Sequence, residues 1–323
     1  MNLYLSDKMI TYSIIIPCFN AEPYLNSILT FISKTQSERN DVEFIIINDG
    51  SIDNTDYILS SKNGFHYINQ ENKGVSSSRN LGLQSSSGKY ILFLDADDSF
   101  DDDILHILDK EIIKNNIECD TYLFNYSINH SRTINKSSNI RLYTNIEILH
   151  LFLTRKLKLH ICSICFKSDF LKRNNILFPE DYCFGEDIYF ILLSFLTTKK
   201  HILHIDHTLF NYNLDNSVTV QSALTISKIK VLALYDLLQK NTCGAPNKIT
   251  SEIKYLQQRT FFYLIKLGLQ FNFKDKETLD YLFSKKYILK KPRVSLYPVV
   301  LFFRVSSGLL YFILNKRLQR SLE

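Results

Sequence analysis

Four apolar runs punctuate the first third of the chain, at 12–17 (YSIIIP), 42–48 (VEFIIIN), 65–69 (FHYIN) and 89–94 (KYILFL). They are continuously apolar and rich in β-branched or aromatic side chains. Alternation is missing, so both faces of each strand are expected to be buried. Between the runs, 22–34 and 74–86 carry helical spacing. Strands buried on both faces and separated by helices predict an α/β fold with a mostly parallel sheet flanked by helices. In such a sheet ligands bind beyond the carboxyl ends of the strands. The polar clusters sit there in register: CFN after the first run, NDGS after the second, NQEN after the third and DADD after the fourth.

Beyond Asp101 the pattern is less regular. It predicts a helix over 101–116, a strand over 119–126 and a polar loop over 127–141, then a helix over 144–156. An acidic turn leads into an apolar helix within 178–196, and 201–213 reads as a strand. From Ser222 onward only helical periodicity is found. A soft boundary near residue 220 therefore separates an α/β part, 1–220, from a helical part, 221–323.

Composition changes this picture in one place. With 323 residues and 45% hydrophobic content the chain can bury a sizeable core. Its charge is uneven: 241–323 hold 15 Lys or Arg against 5 Asp or Glu, and 1–240 are mildly acidic. A basic end expects an anionic neighbour, and no nucleic-acid-binding motif accompanies it, so nucleic acid is not expected. The apolar stretch 294–314 is broken by Pro298 and Arg304, a poor membrane span. Lys285, Lys286, Lys290, Lys291 and Arg293 precede it, and Lys316, Arg317 and Arg320 follow. That arrangement fits a helix lying on an anionic membrane surface, with a buried C-terminal helix as the alternative. The six cysteines are scattered through apolar stretches, and MNLYLSDKM is charged where a leader needs an apolar centre. Reduced thiols in a cytoplasmic protein are expected. The pair in CSIC (162–165) has half of a zinc spacing and lacks a second half.

The candidate chemistry lies at the strand ends. Asp95 and Asp97 alternate along an extended backbone and share one side, where converging carboxylates suit Mg²⁺ or Mn²⁺. Asp101–Asp103 instead suit the start of the next helix, and Asp98 has no assigned role. Asp49 ends the second strand in a turn, where its carboxylate can also accept from a ligand N–H or hydroxyl. Arg79 is set among small residues, open to a phosphate or an acidic partner. After Gly185, Glu186 and Asp187 sit at the mouth of a helix, where they can cap it or serve as general base.

Taken in order, IIIPCFNAEPYL, IIINDGSIDNT, ENKGVSSSRNLGLQSSSGKYILFLDADD and GEDIYF resemble the successive motifs of family 2 glycosyltransferases with the GT-A fold, over residues 12–215. The resemblance implies transfer, with inversion, of a sugar from a nucleotide diphosphate donor, commonly UDP-linked, to a hydroxyl. It places 1–220 as the catalytic domain, with nucleotide-sugar binding over about 12–125 and the acceptor and base region over about 126–220. Pro17, Phe19, Asn20 and Glu22 match positions lining the nucleotide pocket, Asp49 the acid that reads the base, and Arg79 a donor-site arginine. Asp95, Ala96 and Asp97 match the Asp-X-Asp motif, with Asp97 and Asp95 on Mn²⁺ or Mg²⁺. Asp187 matches the base, with Glu186 beside it. The implied acceptor is a glycan or lipid-linked hydroxyl in surface polysaccharide synthesis, such as lipopolysaccharide or capsule, at the inner face of the cytoplasmic membrane.

The chain has no tryptophan, so the glutamine-arginine-tryptophan motif of processive members is missing and single transfer is expected. Residues 210–219 lack the arginine often found there, and His201, His204 or His207 stands near as a metal or diphosphate aid, or as a structural residue. A sugar-phosphate nucleotidyltransferase would need a Gly-rich basic loop where PCFNAEPYL stands. A sugar-nucleotide-binding scaffold would be expected to have lost acids, whereas Asp95, Asp97, Glu186 and Asp187 are all present.

Overall fold

The structure, a computed structural model, describes residues 10–115, 118–129, 139–214, 223–242, 244–271, 273–290 and 296–322. The MNLYLSDKM segment, most of the polar loop, 215–219 of the closing strand motif, the boundary at 220, Cys243, Lys291 and Arg293 lie outside the described residues. The chain forms two compact units: Met1–Asp181 with Phe190–Asn216, and Tyr182–Tyr189 with Ser217–Glu323.

The first unit is built on a 9-stranded sheet. Its strands are β1 (Tyr12–Cys18), β2 (Val42–Asp49), β3 (His66–Gln70), β4 (Tyr90–Phe93), β5 (Ser99–Phe100), β6 (Thr121–Ile128), β7 (Ile140–Tyr143), β8 (Ile164–Lys167) and β9 (Ile202–Tyr212). The order is β3-β2-β1-β4-β8-β6-β9-β5, with β7 on β9. Strands β1 to β4 pair in parallel, as their continuous apolar runs predict. Every residue of β1 and β2 is buried. The other half of the sheet is mixed: β8 runs antiparallel to both β4 and β6, β6 pairs in parallel with β9, and β5 and β7 run antiparallel to β9.

Helices α1 (Leu25–Glu38), α2 (Thr55–Ser60), α3 (Val75–Ser85), α4 (Ile104–Asn115), α5 (Asn145–Leu153) and α6 (Ser168–Arg173) cover this sheet. Packing of α3 on β1 and β2 depends on Gly82. A Cβ there would lie 2.3 Å from Ile15 Cγ2 and 3.1 Å from Ile47 Cδ1. Against the middle of the sheet, Phe93, Phe166, Phe178 and Phe190 form a buried aromatic cluster, with Phe178 stacked on Phe190 at 4.0 Å. Each such ring contributes roughly 1.5–3 kcal/mol by leaving water.

Strand register levels the chemistry. Cys18 lies beside Asn48, Asn48 beside Asn69, and Asp49 beside Gln70. Ile15 pairs with Phe93, so Asp95 emerges two residues later at the height of Pro17. Helix α7 (Glu186–Thr197) begins in the second unit and continues into the first. The second unit is otherwise helical: α8 (Ile226–Ile229), α9 (Val231–Lys240), α10 (Asn247–Phe271), α11 (Lys276–Ser284) and α12 (Tyr297–Leu322). No helix among the described residues is long and apolar enough to cross a membrane.

Candidate functional site

The loops after β1 and β2 are stapled to each other. Asn20 adopts φ +51°, a left-handed conformation that asparagine tolerates. Its N–H donates to Ser51 Oγ (2.9 Å), and its Oδ1 accepts from the Ile52 N–H (2.9 Å). Glu22 accepts from the Asn54 N–H (3.2 Å) and Nδ2 (2.8 Å), while its own N–H donates to Asp53 (3.1 Å). Asn20 and Glu22 thus shape the loops. Pro17 is buried, and Phe19 stands 51% exposed at the same edge. Asp49 is 4% exposed and accepts from Gln70 Nε2 (2.7 Å), the Lys73 N–H (2.9 Å) and the Gly74 N–H (2.8 Å). It folds the β3–α3 turn onto the end of β2.

At the end of β4 the acids divide by environment. The Arg79 guanidinium, on α3 and 2% exposed, donates to Asp95 Oδ1 at 2.7 Å and lies over the Phe178 ring at 5.1 Å. Burial alone would raise the Asp95 carboxyl, but Arg79, His160 and the Cys162 thiol outweigh it, and its pKa falls below the usual carboxylate value. Asp97 is shifted up, first by burial and then by the Asp95 charge. Asp98 is pushed up to about 8 by burial, opposed by the Asn213 N–H that donates to its Oδ1 (2.8 Å) and reinforced by Asp95 and Asp97. Its Oδ2 is buried and has no hydrogen-bond partner among the described residues.

Two residues of the turn before β8 complete this corner. His160 stacks on Phe210 (5.1 Å) and Tyr212 (4.9 Å), and its Nδ1 accepts the Cys162 N–H at 3.3 Å. Ligand atoms of Asp95, Asp98, His160 and Cys162 all lie within 4.8 Å of one another. Carboxylate oxygens with an adjoining imidazole, and one buried oxygen lacking a partner, fit a divalent cation. Burial drives the Cys162 thiol well up, so it stays protonated and acts as a donor.

The chain matches Glycosyl transferase family 2 over residues 13–174, half of its length. It belongs to that family. Curated relatives include the minor teichoic acid biosynthesis protein GgaB of Bacillus subtilis (strain 168), 30% identical over 66% of this chain and 24% of GgaB. Another is the glycosyltransferase GlyA of Streptococcus pneumoniae serotype 4, 31% identical over 65% of this chain and 31% of GlyA. The family 2 chain thus spans about a quarter to a third of these relatives. Among solved structures, S. aureus TarS 1-349 in complex with UDP superposes with a TM-score of 0.67 at 17% identity, covering 97% of this chain and 92% of that one. That likeness shows the fold, GT-A, as the motifs implied.

The Gly-Glu-Asp motif of this family 2 chain belongs to the second unit. Gly185 has φ +82°, and a Cβ there would meet Val231 Cγ2 at 2.4 Å, so only glycine suits the position. Glu186 and Asp187 occupy the first turn of α7, where the helix dipole favours acids.

Of the residues singled out by sequence, Pro17, Phe19, Asn20, Glu22, Asp49, Arg79, Asp95, Ala96 and Asp97 gather along the carboxyl edge of β1, β2 and β4. His204 is buried in β9, its Nε2 bonded to Asn125 Oδ1 at 2.9 Å, and belongs to the strand's own polar network. The imidazole that joins the acids is His160, which no sequence motif singles out, and Cys162 and Asp98 stand with it. The one signal in reach was the thiol pair of CSIC, whose first member faces Asp95.

Proposed function

We propose that this chain is an inverting, single-transfer glycosyltransferase using a nucleotide diphosphate sugar, UDP-linked, as donor. The acceptor is a hydroxyl of a glycan or lipid-linked intermediate of surface polysaccharide. The observation that carries the reading is the Arg79–Asp95 pair with Asp98, His160 and Cys162 gathered at Asp95, level with the end of β1. The UDP complex of TarS and the teichoic acid name of GgaB support a nucleotide-sugar donor and a cell-surface acceptor. Lipopolysaccharide and capsule are the further acceptor classes.

In this mechanism Phe19 and Asp49 border the base, with Pro17, Asn20 and Glu22 fixing the loop between them. Asp97 and Asp95, joined by Asp98, are the residues that would hold Mn²⁺ or Mg²⁺. When bound, such an ion offsets charge on the departing nucleotide diphosphate. Arg79 holds Asp95 ionised and orients it. Asp187 accepts the proton of the acceptor hydroxyl, with Glu186 as its neighbour, and this assignment rests on the motif. Asp97→Ala and Asp187→Ala should each abolish sugar transfer while leaving the melting temperature within a few degrees of wild type. Full transfer by both variants would sink the reading.

The C-terminal helix supports a peripheral position at the inner face of the cytoplasmic membrane. On α12, Leu309, Phe312 and Ile313 are 63%, 59% and 50% exposed, beside Lys316. An apolar strip flanked by lysine suits an anionic leaflet.

A further inference from the structure

We infer that Asn80 is a positioning residue: its side-chain amide holds the Phe178 backbone, and thereby the Phe178 ring, against the Arg79 guanidinium that pairs with Asp95. The inference rests on the nucleotide-sugar transferase reading above, in which Arg79 and Asp95 act at the diphosphate.

Residues 176–179 form neither helix nor strand, so no ladder satisfies the backbone there. Phe178 is 2% exposed and precedes Pro179, which keeps it extended. Asn80, 4% exposed, stands on α3 one position after Arg79. Its Nδ2 donates to the Phe178 carbonyl (2.9 Å) and to Glu180 Oε1 (2.8 Å), and its Oδ1 accepts from the Phe178 N–H (2.9 Å). A side-chain amide carries two donor hydrogens and an acceptor oxygen, so it can pair with the N–H and C=O of one residue as a neighbouring strand would. Alanine at 80 would take these partners from two buried backbone groups, which is costly.

The ring held in this way meets the site. Arg79 Cζ lies 5.1 Å from its centroid, and the same guanidinium donates to Asp95 Oδ1 at 2.7 Å. Phe190 stacks on the ring at 4.0 Å with an interplanar angle of 11°, and Phe93 meets it edge-on at 5.2 Å and 87°. A desolvated guanidinium is attracted to an aromatic face by the ring's quadrupole. Two adjacent residues of α3 therefore divide one task. Arg79 grips the carboxylate, and Asn80 grips the residue whose ring supports Arg79.

The test measures binding of UDP and of uridine at fixed Mg²⁺ to wild type, Asn80→Ala and Phe178→Leu in the full chain. Ligand-observed NMR titration gives the affinities, and circular dichroism checks folding. Uridine reaches the base pocket bordered by Phe19 and Asp49 but carries no phosphate. Phe178→Leu spares the Asn80 bonds to the backbone and removes the ring, so it tests the inference even where Asn80→Ala does not fold. We expect each variant to bind UDP roughly tenfold more weakly and uridine within about twofold of wild type. Equal losses for the two ligands would mean a general loss of packing and overturn the role of Asn80. Unchanged UDP binding by either variant overturns it too, and both results leave the nucleotide-sugar reading standing. No UDP binding by wild type overturns that reading and the inference with it.

Discussion

Single side chains decide most of what this molecule can do, and their partners are far away in sequence. Arg39 shows the structural case. Its guanidinium holds Asp41 through two 2.8 Å bonds and Asp109 through one of 2.9 Å. The Arg39 hydrogen bonds, against a smaller opposing effect of burial, hold the Asp41 carboxyl down to about 2 from an ordinary 3.8. A lowered folded-state pKa gives stability that is complete above the unfolded value and lost as pH falls through the folded one. Wild type should therefore lose stability between about pH 4 and pH 2, and Asp41→Asn should be less stable at pH 7 with a shallower loss across that window. Urea unfolding at stepped pH checks this, and identical acid limbs would contradict it. At the same scale, Arg79 and Asp95 were legible because each interrupts a pattern, one a helix of small residues and the other the end of an apolar run. Asp98 and His160 were not, because their meaning comes from Asn213, Phe210 and Tyr212.

Elements were legible in proportion to their burial. The runs that became β1, β2 and β4 are buried throughout, so composition alone marks them, whereas β3, at the sheet edge, is exposed or half-buried and departs from the expectation of two buried faces. Strand β5 has two residues and β7 and β8 four each, too short to show a period, and pairing with β9, β6 and β4 defines them. The antiparallel pairs followed from that and went unforeseen. Helix contact is equally specific at Gly82. An alanine in a helix gains about 1 kcal/mol over glycine, but a Cβ at 2.3 Å from Ile15 forces overpacking that costs about 1–3 kcal/mol. Gly82→Ala should lower the unfolding free energy in urea, and a more stable variant would refute the close approach of α3 to β1. For α12, replacing Leu309, Phe312 and Ile313 together by glutamate should remove sedimentation with phosphatidylglycerol vesicles at low salt and leave neutral vesicles unbound. Unchanged sedimentation would mean that another surface makes the membrane contact.

For the whole molecule, the order of the strand-end motifs carried more than any motif alone. Four polar clusters at four parallel strand ends implied a ligand edge before any family was considered, and the family match over residues 13–174 covers that same stretch. The helical second unit was legible as helix, but not the inclusion of Tyr182–Tyr189 within it, since the close approach of Gly185 to Val231, where a Cβ would lie 2.4 Å from Cγ2, links residues far apart in sequence. On the proposed reading, the acid corner at Arg79 works on a nucleotide diphosphate sugar with the help of a divalent ion. The most direct test is a donor-hydrolysis screen of the purified chain across nucleotide sugars, with Mn²⁺ and with excess chelator. The expected result is release of the nucleoside diphosphate from one UDP-linked donor above all others, abolished by the chelator. Release that the chelator leaves untouched, or no turnover of any nucleotide sugar, would contradict it.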